Sequence, residues 1–285
     1  MKKNRKKSKL GDIWRRLRKN KLAVIALAVL VLLILIAVLG PLVAPYSYKA
    51  QDSKNTYAAP SLKHLLGTDK LGRDIFSRLV IGSRQSIQMG IIAVAIASVL
   101  GTIIGAIAGF YGKWVDTLCM RVLDVYQAVP MFLLCVTMAA ILGPSLQNAI
   151  IALGISMVPS YARLMRASVL TVREKEYIES ARAIDLSGPT IILRHIVPNA
   201  MAPIIVEITM GVGACILAGS ALSFIGLGVQ APMPEWGAMI SDARSVMREH
   251  PTLALYPGIC IMLMVLSCNL LGDGLRDALD PRLKN

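Results

Sequence analysis

Five stretches of this 285-residue chain run almost without charge: Leu22–Tyr48, Gln85–Gly112, Val125–Ala162, Ala200–Ala221 and Thr252–Leu271. A helix rises about 1.5 Å per residue and a bilayer core is about 30 Å thick, so each run is long enough to cross. The turn signal Gly143-Pro144 divides the longest run into two helices of about twenty residues each. The reading is therefore an all-α, polytopic membrane protein with six transmembrane helices. The first run ends in Gly40-Pro41 and Pro45 rather than at a small-residue cleavage site, which reads as a retained helix over 22–44.

Composition agrees. Charged residues make up 17% and hydrophobic ones 55%, whereas soluble domains carry about 25% charge. The formal charge of +14 is not spread evenly, because Met1–Lys21 holds eleven bases against the single acid Asp12. A basic block directly before an apolar run fixes that end on the cytoplasmic side and attracts anionic headgroups. It lacks the aromatic interleaving of a nucleic-acid surface, so no nucleic-acid partner is expected. Within it, Ile13, Trp14 and Leu17 share one helical face, which predicts a short amphipathic helix on membrane lipid. Alternation then gives an extracytoplasmic loop over 45–84, a core of five helices over 85–272 with an inner loop over 163–199, and a cytoplasmic tail over 273–285.

The chemistry of an enzyme is missing. No G-x-x-x-x-G-K-[ST], H-E-x-x-H or G-x-S-x-G occurs, and the three histidines, His64, His195 and His250, all fall outside the spans. Cys119, Cys135, Cys215, Cys260 and Cys268 lie far apart, which supports neither a disulfide framework nor a metal site. No catalytic residue is assigned. Gly101, Gly105 and Gly109 recur every fourth residue beside Ala93, Ala97 and Ala108, a strip suited to close helix packing.

One inner segment is organised differently. Residues 174–184 read as a short helix with Ser180, Ala181 and Ala183 on its surface; Ser187-Gly188-Pro189 ends it, and Pro198 precedes the fifth span. Tyr177-Ile178-Glu179-Ser180-Ala181-Arg182-Ala183, followed by Arg194-His195-Ile196-Val197-Pro198-Asn199, resembles the EAA motif of ABC importer permeases. Glu179, Ser180 and Ala181 stand at the E-A-A positions and Pro198 at the terminal proline, while Asp185 replaces the usual glycine. Aspartate can also adopt the turn conformation that this glycine permits.

Three further stretches narrow the resemblance to the second, C-type permease subunit of the peptide/nickel subgroup. They are His64–Arg78, Leu222–Gln230 with Pro232, Pro234 and Trp236-Gly237, and Asn269–Asp277.

The resemblance implies an ABC type I importer permease of a bacterial cytoplasmic membrane, multi-pass, with both termini inside. Tyr177, Ile178, Glu179, Ser180, Ala181, Arg182, Ala183, Ile184, Asp185 and Pro198 would couple it to an ATPase. Its partners would be a homologous second permease, two ATP-binding subunits that use ATP and Mg, and an extracytoplasmic binding protein. This chain would bind no cofactor. The cargo would be oligopeptides or dipeptides; glutathione-like peptides and nickel or metal chelates are the alternatives within the subgroup. A passive channel or scaffold is the alternative outside it, and no filter motif is present.

Glu207 is the one acid deep in a span, a costly position that is usually occupied for a reason. With Met210 it is placed on the translocation path, against the alternative of a hydrogen bond to a neighbouring helix or to the second permease. In the outer loop, Asp69, Arg73, Asp74 and Arg78 either pin the chain through local ion pairs or help dock the binding protein.

Overall fold

The computed structural model describes residues 9–279, so 1–8 of the basic segment and 280–285 of the expected tail lie outside the described residues. Helices make up most of the described chain, joined by loops, with an isolated bridge between Thr68 and Asp74. A short α1 (Lys9–Leu17) leads into α2 (Lys21–Val43), whose first turn is capped by the Asn20 side chain accepting from the Ala23 amide. Along α2 a buried stripe of Ala23, Ala26, Leu30, Leu33 and Ala37 faces the protein, while Leu22, Ile25, Leu32 and Leu42 face outward, as a lipid-bathed helix requires.

α3 (Ile75–Tyr111) begins ten residues earlier than the expected second span. Asp74 causes this: its carboxylate accepts from the Ser77 amide at 2.8 Å and caps the helix. Residues 75–84, expected as loop, are therefore helical. At 37 residues α3 is about 55 Å long, more than the roughly 30 Å needed to cross the hydrocarbon.

The expected third span is also different. Instead of one helix of about twenty residues, the chain forms α4 (Lys113–Gln127), a break, and the 12-residue α5 (Met131–Leu142), bent by 79°. Pro130 cannot donate to the helix ladder and biases Val129 away from helical geometry. Five described helices are each long and apolar enough to cross, and the bent pair α4 and α5 brings the number to six if it is counted as one span. α4 is held against α6 (Leu146–Val172) by the ion pairs Asp116–Arg166 and, at 2.7 Å, Asp124–Arg163.

The inner segment is shorter than expected, because α6 continues ten residues past Ala162 to Val172. There follow α7 (Glu176–Ala183) and α8 (Gly188–Ile191), a π turn over Ile192–Ile196, and α9 (Val197–Phe224). From Gly188 to Phe224 the helix is continuous, so Pro198 lies inside its run and does not precede it. The wider π turn just ahead of Pro198 accommodates a residue that cannot donate. After α10 (Trp236–Ala243), α11 (Thr252–Leu279) continues past Leu271 and makes helix of residues 273–279.

The tightest packing is α3 on α6. Positions 101, 105 and 109 face α6 so closely that a Cβ on Gly101 would lie 2.9 Å from the Val158 carbonyl, and one on Gly109 2.9 Å from Val169 Cβ. A Cβ on Gly105 would overlap the Ala162 carbonyl. Such contact supplies dispersion energy that lipid does not. One buried cluster joins α3, α5, α6 and α9; a second joins Leu17, α2, α11 and Trp236.

At the other end of α3 from α7, the segment before α3 is pinned to α10. Arg73 pairs with Asp69 at 2.6 Å and Asp242 at 3.4 Å, Lys70 with Asp242 at 3.0 Å, and His64 with Asp74 at 2.9 Å. Arg78, 4% exposed, donates to the carbonyls of Tyr48 and Pro232. These contacts give the four charged residues of the loop a structural use.

Candidate functional site

The segment between α6 and α9 is a small helical unit packed onto the membrane core. Where α6 ends, Arg173 donates to the Gly109 carbonyl at 2.8 Å, tying the ends of α6 and α3 together. The chain then turns through Lys175 into α7. Ile178 is fully buried and Ala181 is 5% exposed, and both belong to the same cluster as α3, α6 and α9. Arg182 lays its guanidinium 5.3 Å from the Phe110 ring centre, a second tie to α3.

The end of α7 is fixed by backbone geometry. The Leu186 amide donates to the Ala181 carbonyl at 3.2 Å and the Asp185 amide to the Arg182 carbonyl at 3.0 Å. With Asp185 at φ 56°, this is a Schellman cap, the arrangement that glycine normally closes. The next turn is equally tight: a Cβ on Gly188 would sit 2.9 Å from the Tyr111 hydroxyl.

The opposite face of α7 is open. Tyr177 and Ile184 are 43% and 71% exposed, with Glu179, Ser180, Arg182, Ala183 and Asp185 exposed around them. Tyr177, Ser180 and Ile184 follow i, i+3, i+7 spacing and form one ridge. The expectation of a small-residue surface therefore holds for Ser180 and Ala183 and needs correcting for Ala181, which points into the core. Pro198 is exposed at the start of α9, 14 residues beyond Ile184.

Glu207 and Met210 lie one turn apart on α9. Glu207 is half-buried and lines a cleft of about 390 Å³ between α6, α9 and α11, with Arg276 on another wall. Met210 packs on Gly272 of α11 and brings its Sδ to 3.8 Å from Arg276. Among the described residues no group of three or more His, Cys, Asp or Glu side chains is placed to hold a metal.

Residues 101–285 match the family model of binding-protein-dependent transport system inner membrane components, and residues 8–60 match the N-terminal transmembrane domain of oligopeptide transport permease C. The chain belongs to the binding-protein-dependent transport permeases. As such it is a multi-pass inner-membrane component without a catalytic centre of its own. The permease is 49% identical over 96% of its length to the dipeptide transport system permease protein DppC of Alkalihalophilus pseudofirmus, covering 90% of that relative. It is 44% identical, with the same coverages, to the glutathione transport system permease protein GsiD of Escherichia coli. Among solved structures, the inward-facing methionine ABC transporter MetNI aligns with a TM-score of 0.57 over 71% of the permease and 97% of that chain. At 18% identity this bears on the fold alone.

Two residues of the permease escaped sequence reasoning. Glu235, fully buried, caps α10 through the Gly237 and Ala238 amides and also accepts from Ser86 of α3 at 2.9 Å and Ser220 of α9 at 3.4 Å. Its signal was the pair Pro234-Glu235 directly before an apolar helix, a capping pattern written with glutamate where aspartate or serine is usual. Arg276 sits in the Asn269–Asp277 stretch, and nothing in sequence spacing brings it to Glu207, 69 residues away.

Proposed function

We propose that this chain is one of two homologous permease subunits of an ATP-driven importer of short peptides, moved by partner ATPases through α7. The carrying observation is the division of α7 into two faces. Ile178 and Ala181 are locked into the transmembrane core, while Tyr177, Ser180 and Ile184 stand open beside it. An isoleucine 71% exposed outside the spans is a surface that a partner protein would cover. On this reading Tyr177, Glu179, Ser180, Arg182, Ala183, Ile184 and Asp185 meet a groove in the ATPase, and Ile178, Ala181 and the run through Pro198 carry its movement to α3, α6 and α9.

The peptide cargo is supported by the names of the dipeptide and glutathione relatives. Delivery by an extracytoplasmic binding protein is supported by the family description. ATP and Mg would be consumed by two ATP-binding subunits below the membrane, whose closure biases the permease pair between two states. The eleven bases of Met1–Lys21 support cytoplasmic termini. Glu207 and Met210 belong, in this reading, to the inner half of the path.

Cysteine crosslinking tests it. With Cys119 replaced, Tyr177→Cys, Ser180→Cys and Ile184→Cys are expected to capture the ATPase subunit during ATP-driven uptake. Uptake that proceeds while none of the three is captured removes the coupling assignment.

A further inference from the structure

The Asn269–Asp277 stretch is the part of the resemblance that coupling leaves unused, and its structural setting is specific. It forms the last turns of α11, wedged between two neighbours. A Cβ on Gly272 would overlap the Met210 side chain of α9, and one on Gly274 would overlap Ala23 of α2 and stand 3.2 Å from Leu17 of α1. The two glycines thus bring α11 against α9 on one side and α2 on the other. Arg276, one turn beyond Gly272, is thereby set at the rim of the cleft that holds Glu207.

The two charges in this cleft are loosely held. Among the described residues the Glu207 carboxylate has no hydrogen-bond or ion-pair partner, although its own backbone carbonyl accepts from Tyr161 at 3.1 Å. An acid inside a span with no partner in its own chain marks a place where something polar arrives. Arg276 has only an exposed contact at 3.8 Å with Asp273, its neighbour on the same helix, and the thioether of Met210. Such a pair contributes little. The rest of the lining is Leu164, Ala202, Pro203, Val206 and Leu279, apolar walls around one negative and one positive pole. The volume, about 390 Å³, falls within the range of small-molecule sites. Glu207 and Arg276 line the same cleft and form no ion pair with each other, which leaves both poles open to the ends of a short zwitterion.

We propose that the cleft between α6, α9 and α11 is a subsite for the zwitterionic ends of a short peptide, Glu207 receiving the ammonium group and Arg276 the carboxylate. The proposal rests on the peptide-importer reading and adds that the permease itself, on its inner half, reads the termini of its cargo.

The test is equilibrium binding to the complete complex of both permeases and both ATPases, without binding protein or nucleotide, in phosphatidylcholine nanodiscs. The probes are alanyl-alanine, its N-acetyl form and its C-terminal amide. Wild type is expected to bind the free peptide saturably and to lose about tenfold in affinity with either blocked form. Glu207→Gln should bind the free and acetylated peptides alike, and Arg276→Gln the acid and amide alike. A merely structural role for either side chain would not remove this discrimination selectively. Should Glu207→Gln fail to assemble, the exposed Arg276 carries the test. Absent wild-type binding, equal binding of all three probes, or variants that still discriminate would overturn the subsite, as would Glu207-dependent displacement by phosphatidylethanolamine, which would assign the cleft to a lipid headgroup. Binding-protein-dependent uptake of alanyl-alanine by the wild-type complex separates the two claims. If uptake occurs without discrimination, only the subsite falls; if no peptide is imported, the peptide reading falls.

Discussion

The Tyr161 hydroxyl of α6 reaches the backbone carbonyl of Glu207 across the space that a side chain at Gly211 would fill. Tyr161 is fully buried, and its polar end is satisfied only because position 211 has no Cβ. The contact fixes α6 to α9 at the very residue that carries the unpaired carboxylate.

Gly211→Ala should therefore destabilise the assembled permease by about 1–3 kcal/mol through overpacking. Tyr161→Phe, which removes the atom in the way, should recover part of that loss in the double variant. Thermal inactivation of the four variants of the cycle measures the coupling, and strictly additive losses would contradict the geometry.

Replacing Asp185 tests the turn that ends α7. A left-handed residue costs roughly 1–2 kcal/mol for most side chains, less for aspartate and least for glycine. Asp185→Gly should hold or slightly raise resistance to proteolysis around residues 184–188, and Asp185→Val should lower it. ATP-driven uptake should fall with the valine variant alone.

Glu235 satisfies donors from three helices at once. Glu235→Ala strands the Gly237 and Ala238 amides and the Ser86 hydroxyl in a buried place, a loss of about 2–4 kcal/mol. Glu235→Gln keeps one acceptor oxygen and should lose less. The inactivation temperature of the purified complex reports both, and an unchanged value for the alanine variant would mean that α10 is held by other means.

Glycines on different faces should behave differently. Gly105→Val drives a side chain into the Ala162 carbonyl and should abolish accumulation of the permease in the membrane, whereas Gly258, with nothing within 4 Å of its would-be Cβ, should tolerate alanine. Immunoblots of membrane fractions distinguish the two, and equal tolerance would refute the close approach of α3 and α6.

What the sequence made legible was whatever depends on neighbours along the chain. The apolar runs located the spans, the spacing of Gly101, Gly105 and Gly109 named a packing face, and the sign of Asp185 as a turn former anticipated its φ of 56°. Boundaries were read less well where a local signal was passed over: Asp74 with Ser77 for the start of α3, and Val129-Pro130 for the break before α5. Facing was the real gap. That Ala181 turns inward while Ser180 beside it stays open depends on α3 and α9, and no period over eight residues resolves it. The bond from Ser86 to Glu235 spans 149 residues and the contact of Arg276 with Met210 spans 66, so neither shows in a local pattern.

The unbroken helix from Gly188 to Phe224 has a mechanical consequence. At roughly 1.5 Å per residue it is a shaft of about 55 Å, rooted beside α7 at one end and carrying Ser220, against buried Glu235, near the other. A push on its foot cannot be absorbed along the way by a loop, except at the loosened π winding of residues 192–196. Whatever rocks the foot also swings the head, so the two ends of the helical core are geared together by a single piece of backbone.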